Sequence, residues 1–142
     1  MIVKDVMNTD VKTIKGDATV QEAAEEMKKF RIGSLVVVKD SRLAGIITER
    51  DILDKVVAEA EDSSKIRVKA VMSTHLIMVT QDKDIGEAAD LMIEKKIKKL
   101  PVVKGKKLIG IVTATDLCTA EPKLIQQIGA LMLMTKKKAV AG

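Results

Sequence analysis

Two short segments carry the same chemically useful residues at the same spacing. They are Thr48-Glu49-Arg50-Asp51 and Thr113-Ala114-Thr115-Asp116, and each follows an apolar run that opens on Gly-Ile (Gly45-Ile46, Gly110-Ile111). A strand that ends on the threonine, with a helix beginning just after, exposes unpaired N–H groups and the positive end of the helix dipole, which suits an anion. The Thr48 hydroxyl can add one hydrogen bond to a phosphate oxygen, and Arg50 a charge-assisted fork. The Asp51 carboxylate has two acceptor oxygens, which match the two vicinal hydroxyls of a ribose. The same Thr-x-x-Asp spacing is also a plain capping box, in which hydroxyl and carboxylate satisfy the first free N–H groups of the helix. The two roles are compatible, because a cap can give up its local bond to a ligand. The second segment has no fixed cation in its motif, so the first is expected to be the better phosphate site.

Other chemistries have little to work with. The chain of 142 residues has one histidine (His75) and one cysteine (Cys118). That excludes an internal disulfide framework and a zinc site of Cys/His spacing, and no nucleophile–base pair is evident. Cys118 aligns with Leu53 on an apolar helix face and reads as a small buried hydrophobe; His75 lies in a loop without an assigned role. Phe30 is the one aromatic residue, so base-stacking platforms are excluded. The net charge of +5 places +3 within residues 121–142, leaving a nearly balanced body and only weak support for nucleic-acid binding. The run Lys95-Lys96-Ile97-Lys98-Lys99 reads as a solvated helix end. No apolar run approaches the ~18 residues of a membrane span, and the first residues lack the apolar stretch of a signal peptide, so a cytoplasmic protein is expected. The Lys- and Glu-rich composition, with Asn8 the only asparagine, leans thermophilic.

The elements that must position these residues are written twice. Shifted by 65 residues, segment 3–54 falls on 68–119 without a gap, and about 20 of the 52 pairs are identical. Each copy predicts a helical turn (Val3–Met7), an extended piece (Lys12–Ile14), and a helix opened by the capping box Thr19-Val20-Gln21-Glu22. Val20, Ala23, Ala24 and Met27 form its apolar stripe, matched by Ile85, Ala88, Ala89 and Met92 after the N-cap Asp84. A hairpin follows, Ser34–Lys39 and Leu43–Thr48 about the turn Asp40-Ser41-Arg42, with Gly105-Lys106-Lys107 as the second copy's turn. A last helix spans about Glu49–Glu61, and Ala114–Thr119 or further. The order is β-α-β-β-α, twice: an α/β (α+β) chain whose half is too small to be stable alone, so that two copies packed sheet against sheet would share one core. The expected division is repeat one over 1–60, a linker over 61–67, repeat two over 68–120, and a C-terminal helix and basic tail over 121–142. In that tail Pro122 suits a first helical turn, and Leu124, Ile128, Leu131 and Met132 form a stripe before Lys136-Lys137-Lys138. The stripe suits packing on its own module or on a second subunit; the alternatives are a partner-docking helix, a membrane-surface segment or a connector to a further domain.

This unit, its duplication, and the two endings Gly45-Ile46-Ile47-Thr48-Glu49-Arg50-Asp51 and Gly110-Ile111-Val112-Thr113-Ala114-Thr115-Asp116 resemble a tandem pair of CBS domains, the module named after cystathionine β-synthase. The resemblance covers about residues 2–119 and implies two repeats related by a pseudo-twofold axis, with two clefts that bind AMP, ADP, ATP or S-adenosylmethionine in different members. It does not imply the enzyme, and a non-enzymatic ligand sensor is expected. By resemblance the adenine slot lies at Thr13–Ile14 and Ser34–Leu35 in copy one, and at Met78–Val79 and Lys99–Leu100 in copy two. Lys98 or Lys99 is the candidate cation for the second site and Arg31 for the first. The full set of candidate ligand residues is Thr13, Ile14, Arg31, Ser34, Leu35, Thr48, Arg50, Asp51, Met78, Val79, Lys98, Lys99, Thr113, Thr115 and Asp116, with no catalytic or metal-binding residue. Expected partners are an adenosyl small molecule, a second copy in a homodimer and an unidentified effector protein. The alternatives are a ligand-free dimerisation module or a nucleic-acid-binding protein.

Overall fold

A computed structural model describes residues 1–131 and 133. Copy one comprises α1 (Val3–Val6), β1 (Thr13–Lys15), α2 (Val20–Phe30), β2 (Ser34–Lys39), β3 (Arg42–Thr48) and α3 (Glu49–Ile52), prolonged by a π turn over Leu53–Val57. Copy two comprises α4 (Val68–Val71), β4 (Val79–Thr80), α5 (Ile85–Lys95), β5 (Lys99–Lys104), β6 (Lys107–Thr113) and α6 (Ala114–Ala120). A 3-10 turn, Pro122–Leu124, then leads into helical residues 125–131. The chain is thus a mixed α/β protein built on two β-α-β-β-α repeats.

Local chemistry accounts for the boundaries. At the start of α2 the Thr19 hydroxyl accepts from the Glu22 N–H at 3.1 Å, and the Glu22 carboxylate accepts from the Thr19 N–H at 3.2 Å. At α5 the Asp84 carboxylate caps the Gly86 N–H at 2.9 Å. The β2–β3 hairpin turns on Asp40 and Ser41, both at positive φ (52° and 65°), the handedness that matches strand twist. The last helix of copy one was expected to reach Glu61. It stops at Val57, after the π turn, and Ala60 in the left-handed region (φ 56°) closes the segment.

β1 runs parallel to β2, Ile14 opposite Val37, and β2 antiparallel to β3, Leu35 opposite Ile47. In copy two β4 runs parallel to β5, Val79 opposite Val102, and β6 borders β5. Neither compact unit of the chain coincides with one repeat. One unit joins Met1–Asp10 to Ile77–Lys104 and to the described residues from Ile109 onward; the other joins Val11–Leu76 to Gly105–Leu108.

Each unit has its own core, which corrects the expectation of one core shared by the two copies. In the first, Val3 packs with Ile85, Ala88, Met92, Leu100, Val112 and Leu117, and Leu124, Ile128 and Leu131 join them. The tail stripe is therefore buried on its own module as far as Leu131; Met132 and Lys136–Lys138 lie outside the described residues. In the second unit Val68 and Val71 pack with Val20, Ala23, Met27, Leu35, Val37, Ile47 and Val56. The need of each half for apolar cover is thus met by residues from before the other repeat's first strand.

Main-chain bonds hold those leading segments. Val3 N–H donates to the Lys83 carbonyl at 2.8 Å, and Asn8 and Ile111 exchange bonds of 2.8 and 2.9 Å. In the other unit Val68 N–H donates to the Ala18 carbonyl at 2.8 Å, and Ser73 and Ile46 exchange bonds of 2.8 and 3.0 Å. The crossing explains the glycine that opens each motif. A Cβ on Gly45 would stand 2.6 Å from the Met72 sulfur and 2.9 Å from the Ser73 carbonyl oxygen. One on Gly110 would meet the Met7 sulfur at 2.8 Å and the Asn8 carbonyl oxygen at 3.1 Å.

Candidate functional site

Both Thr-x-x-Asp segments form the capping box that their spacing allows. The Thr48 hydroxyl accepts from the Asp51 N–H at 3.1 Å and Asp51 Oδ2 accepts from the Thr48 N–H at 2.9 Å. The corresponding bonds between Thr113 and Asp116 are 3.0 and 2.9 Å. The first N–H of each helix is also engaged within the chain, Glu49 on the Gly33 carbonyl at 2.9 Å and Ala114 on the Lys98 carbonyl at 2.8 Å. This corrects the expectation of an open helix N-terminus: two of the donors that an anion would use are occupied. What the box leaves is the threonine hydroxyl proton and the outer carboxylate oxygen, a donor and an acceptor side by side.

Strand register gathers the other candidates of copy one at the same end of the sheet. Ser34, half-buried, stands opposite Thr48 where β2 meets β3, and exposed Thr13 stands opposite Val36 where β1 begins. Ile14 and Leu35 pack their side chains into the core, which leaves mainly their main chain facing this end of the sheet. Val79 is buried in the same way in copy two. There Met78 is exposed just before β4, Lys99 opens β5 exposed, Lys98 is half-buried beside the Thr113–Asp116 box, and Thr115 is exposed in the first turn of α6.

The two candidate arginines differ in their surroundings. Arg50 reaches along its helix to Asp54, 3.7 Å away, with three-quarters of its side chain exposed. Such a surface pair contributes little to stability, which leaves the guanidinium available to an anion. Arg31, the left-handed residue ending α2, borders a groove of about 630 Å³ with Lys28, Glu49 and Ile52.

The residue that sequence reasoning missed is Lys55. Its ammonium lies 3.3 Å from Asp51 Oδ1 and donates to the Val71 carbonyl oxygen at 2.8 Å. The i,i+4 spacing from Asp51 was the available signal. Cys118 packs against the core beside Thr115, and burial pushes its thiol pKa up, away from the reactive thiolate. Among the described residues no group of three or more His, Cys, Asp and Glu side chains is arranged to hold a metal, and no helix is long and apolar enough to cross a membrane.

With fold and site in view, comparison with known proteins places the chain. The CBS-domain family model matches residues 3–58 and 68–123, and the chain belongs to that family as a tandem pair. Among its relatives are the CBS domain-containing protein YhcV of Bacillus subtilis, 38% identical over 115 residues that cover 81% of each chain, and an uncharacterized protein of Methanopyrus kandleri, MK0525. The latter is 40% identical over 89% of this chain, which spans 65% of that protein's length. Among solved structures, the CBS domain pair of protein MJ0100, in complex with 5′-methylthioadenosine and S-adenosyl-L-methionine, superposes with a TM-score of 0.73. It is 29% identical, with 84% of this chain and 94% of that one covered.

Proposed function

We propose that this chain is a regulatory module that binds an adenosyl ligand — AMP, ADP, ATP or S-adenosylmethionine — and passes the resulting conformational change to a partner protein. The observation that carries the reading is the doubled Thr–Asp box. Thr48 with Asp51, and Thr113 with Asp116, each present a hydroxyl donor and a carboxylate acceptor at a strand-to-helix turn. A ribose diol at the carboxylate and a phosphate or other polar group at the threonine would use both. Thr13 and Ser34, with the main chain of Ile14 and Leu35, would border the adenine in copy one; Met78 and Lys99, with the main chain of Val79, would do so in copy two. Arg50 favours copy one for a phosphate, and Lys98, Lys99 and Thr115 supply polar groups in copy two. The complex of the MJ0100 pair with adenosyl compounds supports this ligand class. The role is non-catalytic, and the output is another protein.

A homodimer accompanies this reading. Leu53 and Val57 lie 50% and 63% exposed within one π turn, four residues apart and hence on one face, an apolar surface suited to a second copy.

Thermal unfolding of the full chain with AMP, ADP, ATP, S-adenosylmethionine and GTP tests the ligand. At a hundredfold excess over its dissociation constant a ligand stabilises the fold by about 2.7 kcal/mol, a shift of several degrees. The expected result is a shift with adenosyl ligands alone, lost in Asp51→Ala or Asp116→Ala. No shift with any of them at millimolar concentration refutes the sensor and leaves dimerisation as the role.

A further inference from the structure

Both oxygens of Asp51 are engaged within the chain. The Thr48 N–H holds Oδ2 at 2.9 Å, and the Lys55 ammonium lies 3.3 Å from Oδ1, with the carboxylate only 16% exposed. Lys55 is anchored on its other side by the Val71 carbonyl oxygen at 2.8 Å. The backbone beneath it is the π turn Leu53–Val57, where the Ala58 N–H reaches back five residues to the Leu53 carbonyl at 2.8 Å. Such turns recur at functional sites because they redirect side chains. Copy two differs on both counts: Ala114–Ala120 is α-helical throughout, and Ala120 occupies the position that matches Lys55.

Resting on the adenosyl reading above, we propose that Lys55 sets the ligand-charge preference of the copy-one site. A ribose diol that takes Asp51 must open the 3.3 Å contact and leave the ammonium without its carboxylate. The side chain springs from the same helical segment as Asp51, so the released charge stays near the bound ligand. A phosphate gives it a new anionic partner through a charge-assisted hydrogen bond. Uncharged adenosine gives it none, and cationic S-adenosylmethionine sets a like charge against it. Copy two has no such lysine and does not discriminate in this way. The copy-one site is therefore a nucleotide site, selective against nucleosides and sulfonium compounds.

Isothermal titration of the full-length chain with AMP, adenosine and S-adenosylmethionine tests this in an Asp116→Ala background, which leaves only the copy-one site. AMP should bind at least about tenfold tighter than adenosine, the worth of one hydrogen bond to a charged group. Adding Lys55→Met should narrow that gap severalfold by weakening AMP, Arg50 keeping a share of it, while adenosine and S-adenosylmethionine bind as before or tighter. The reciprocal change, Ala120→Lys with Asp51→Ala, should create an AMP preference at copy two; this arm stands even if Lys55→Met does not fold. An AMP-to-adenosine ratio unmoved by Lys55→Met overturns the proposal. So does an equal loss for all three ligands, which would mark Lys55 as a prop for Val71, or binding confined to copy two. If the unsubstituted protein binds none of the three, the proposal falls; if it binds neither ADP nor ATP as well, the adenosyl reading falls with it.

Discussion

Thr48 and Asp51 satisfy each other's backbone N–H groups, so removing the hydroxyl has a structural cost before any ligand is considered. Thr48→Ala strips the acceptor from the Asp51 N–H and should destabilise the chain by about 1 kcal/mol, read as a lower urea midpoint, while Thr48→Ser should restore most of it. A midpoint unchanged by Thr48→Ala would show that the box contributes nothing to the fold and leave ligand contact as its role. The spacing alone identified this threonine and this carboxylate, because a capping box is a local arrangement within four residues. It did not single out Lys55. Arg50–Asp54 and Asp51–Lys55 share the i,i+4 spacing, and a sequence does not say which pair faces the protein. Burial decides it: the Asp51 side chain is 16% exposed and that of Asp54 56%.

Strands and helices followed from periodicity and caps, since apolar stripes at helical spacing and an Asp40-Ser41 turn act within a few residues of themselves. What periodicity missed is the close contact on β3 and β6. The segment around Met72–Ser73 crosses β3 at Gly45, and Met7–Asn8 crosses β6 at Gly110. Gly45→Ala places a methyl 2.9 Å from a main-chain oxygen that cannot swing aside. The expected loss is about 1–3 kcal/mol, with faster amide exchange at Ile46 and Ser73, whose bonds to each other would be strained. Wild-type stability in Gly45→Ala would mean that the segment yields without cost. The helix after Thr48 ran shorter than expected because a π turn and a left-handed Ala60 close it, and neither has a local sequence signature.

At the scale of the whole molecule, the repeats of the sequence and the compact units of the fold are cut at different places. Val3 is buried with residues of copy two, and Val68 and Val71 with residues of copy one. Fastening the second of these is the Lys69 ammonium, which donates to Asp17 at 2.8 Å and, with its charge, lowers the Asp17 pKa from the ordinary carboxylate range. A group whose pKa falls on folding stabilises the native state above its unfolded pKa, and that contribution disappears as the pH drops through the lowered folded value. Urea midpoints should therefore fall between about pH 5 and pH 2, and less steeply in Lys69→Met. Equal slopes in the two proteins would mean that this pair has no part in acid unfolding. Both side chains are largely exposed, so the effect is modest and weakens with salt.

The amino-acid sequence by itself determined the repeated β-α-β-β-α order, the two Thr–Asp boxes and the aliphatic cores, because each rests on residue type and on spacing within one element. Only the tertiary structure decided that Ile14, Leu35 and Val79 turn their side chains into the cores, that Gly33 and Lys98 carbonyls take up the first helical N–H groups, and that Lys55 lies on Asp51. These depend on which faces meet and which oxygens remain uncovered once residues far apart in the chain are packed together, and no spacing along the chain encodes that.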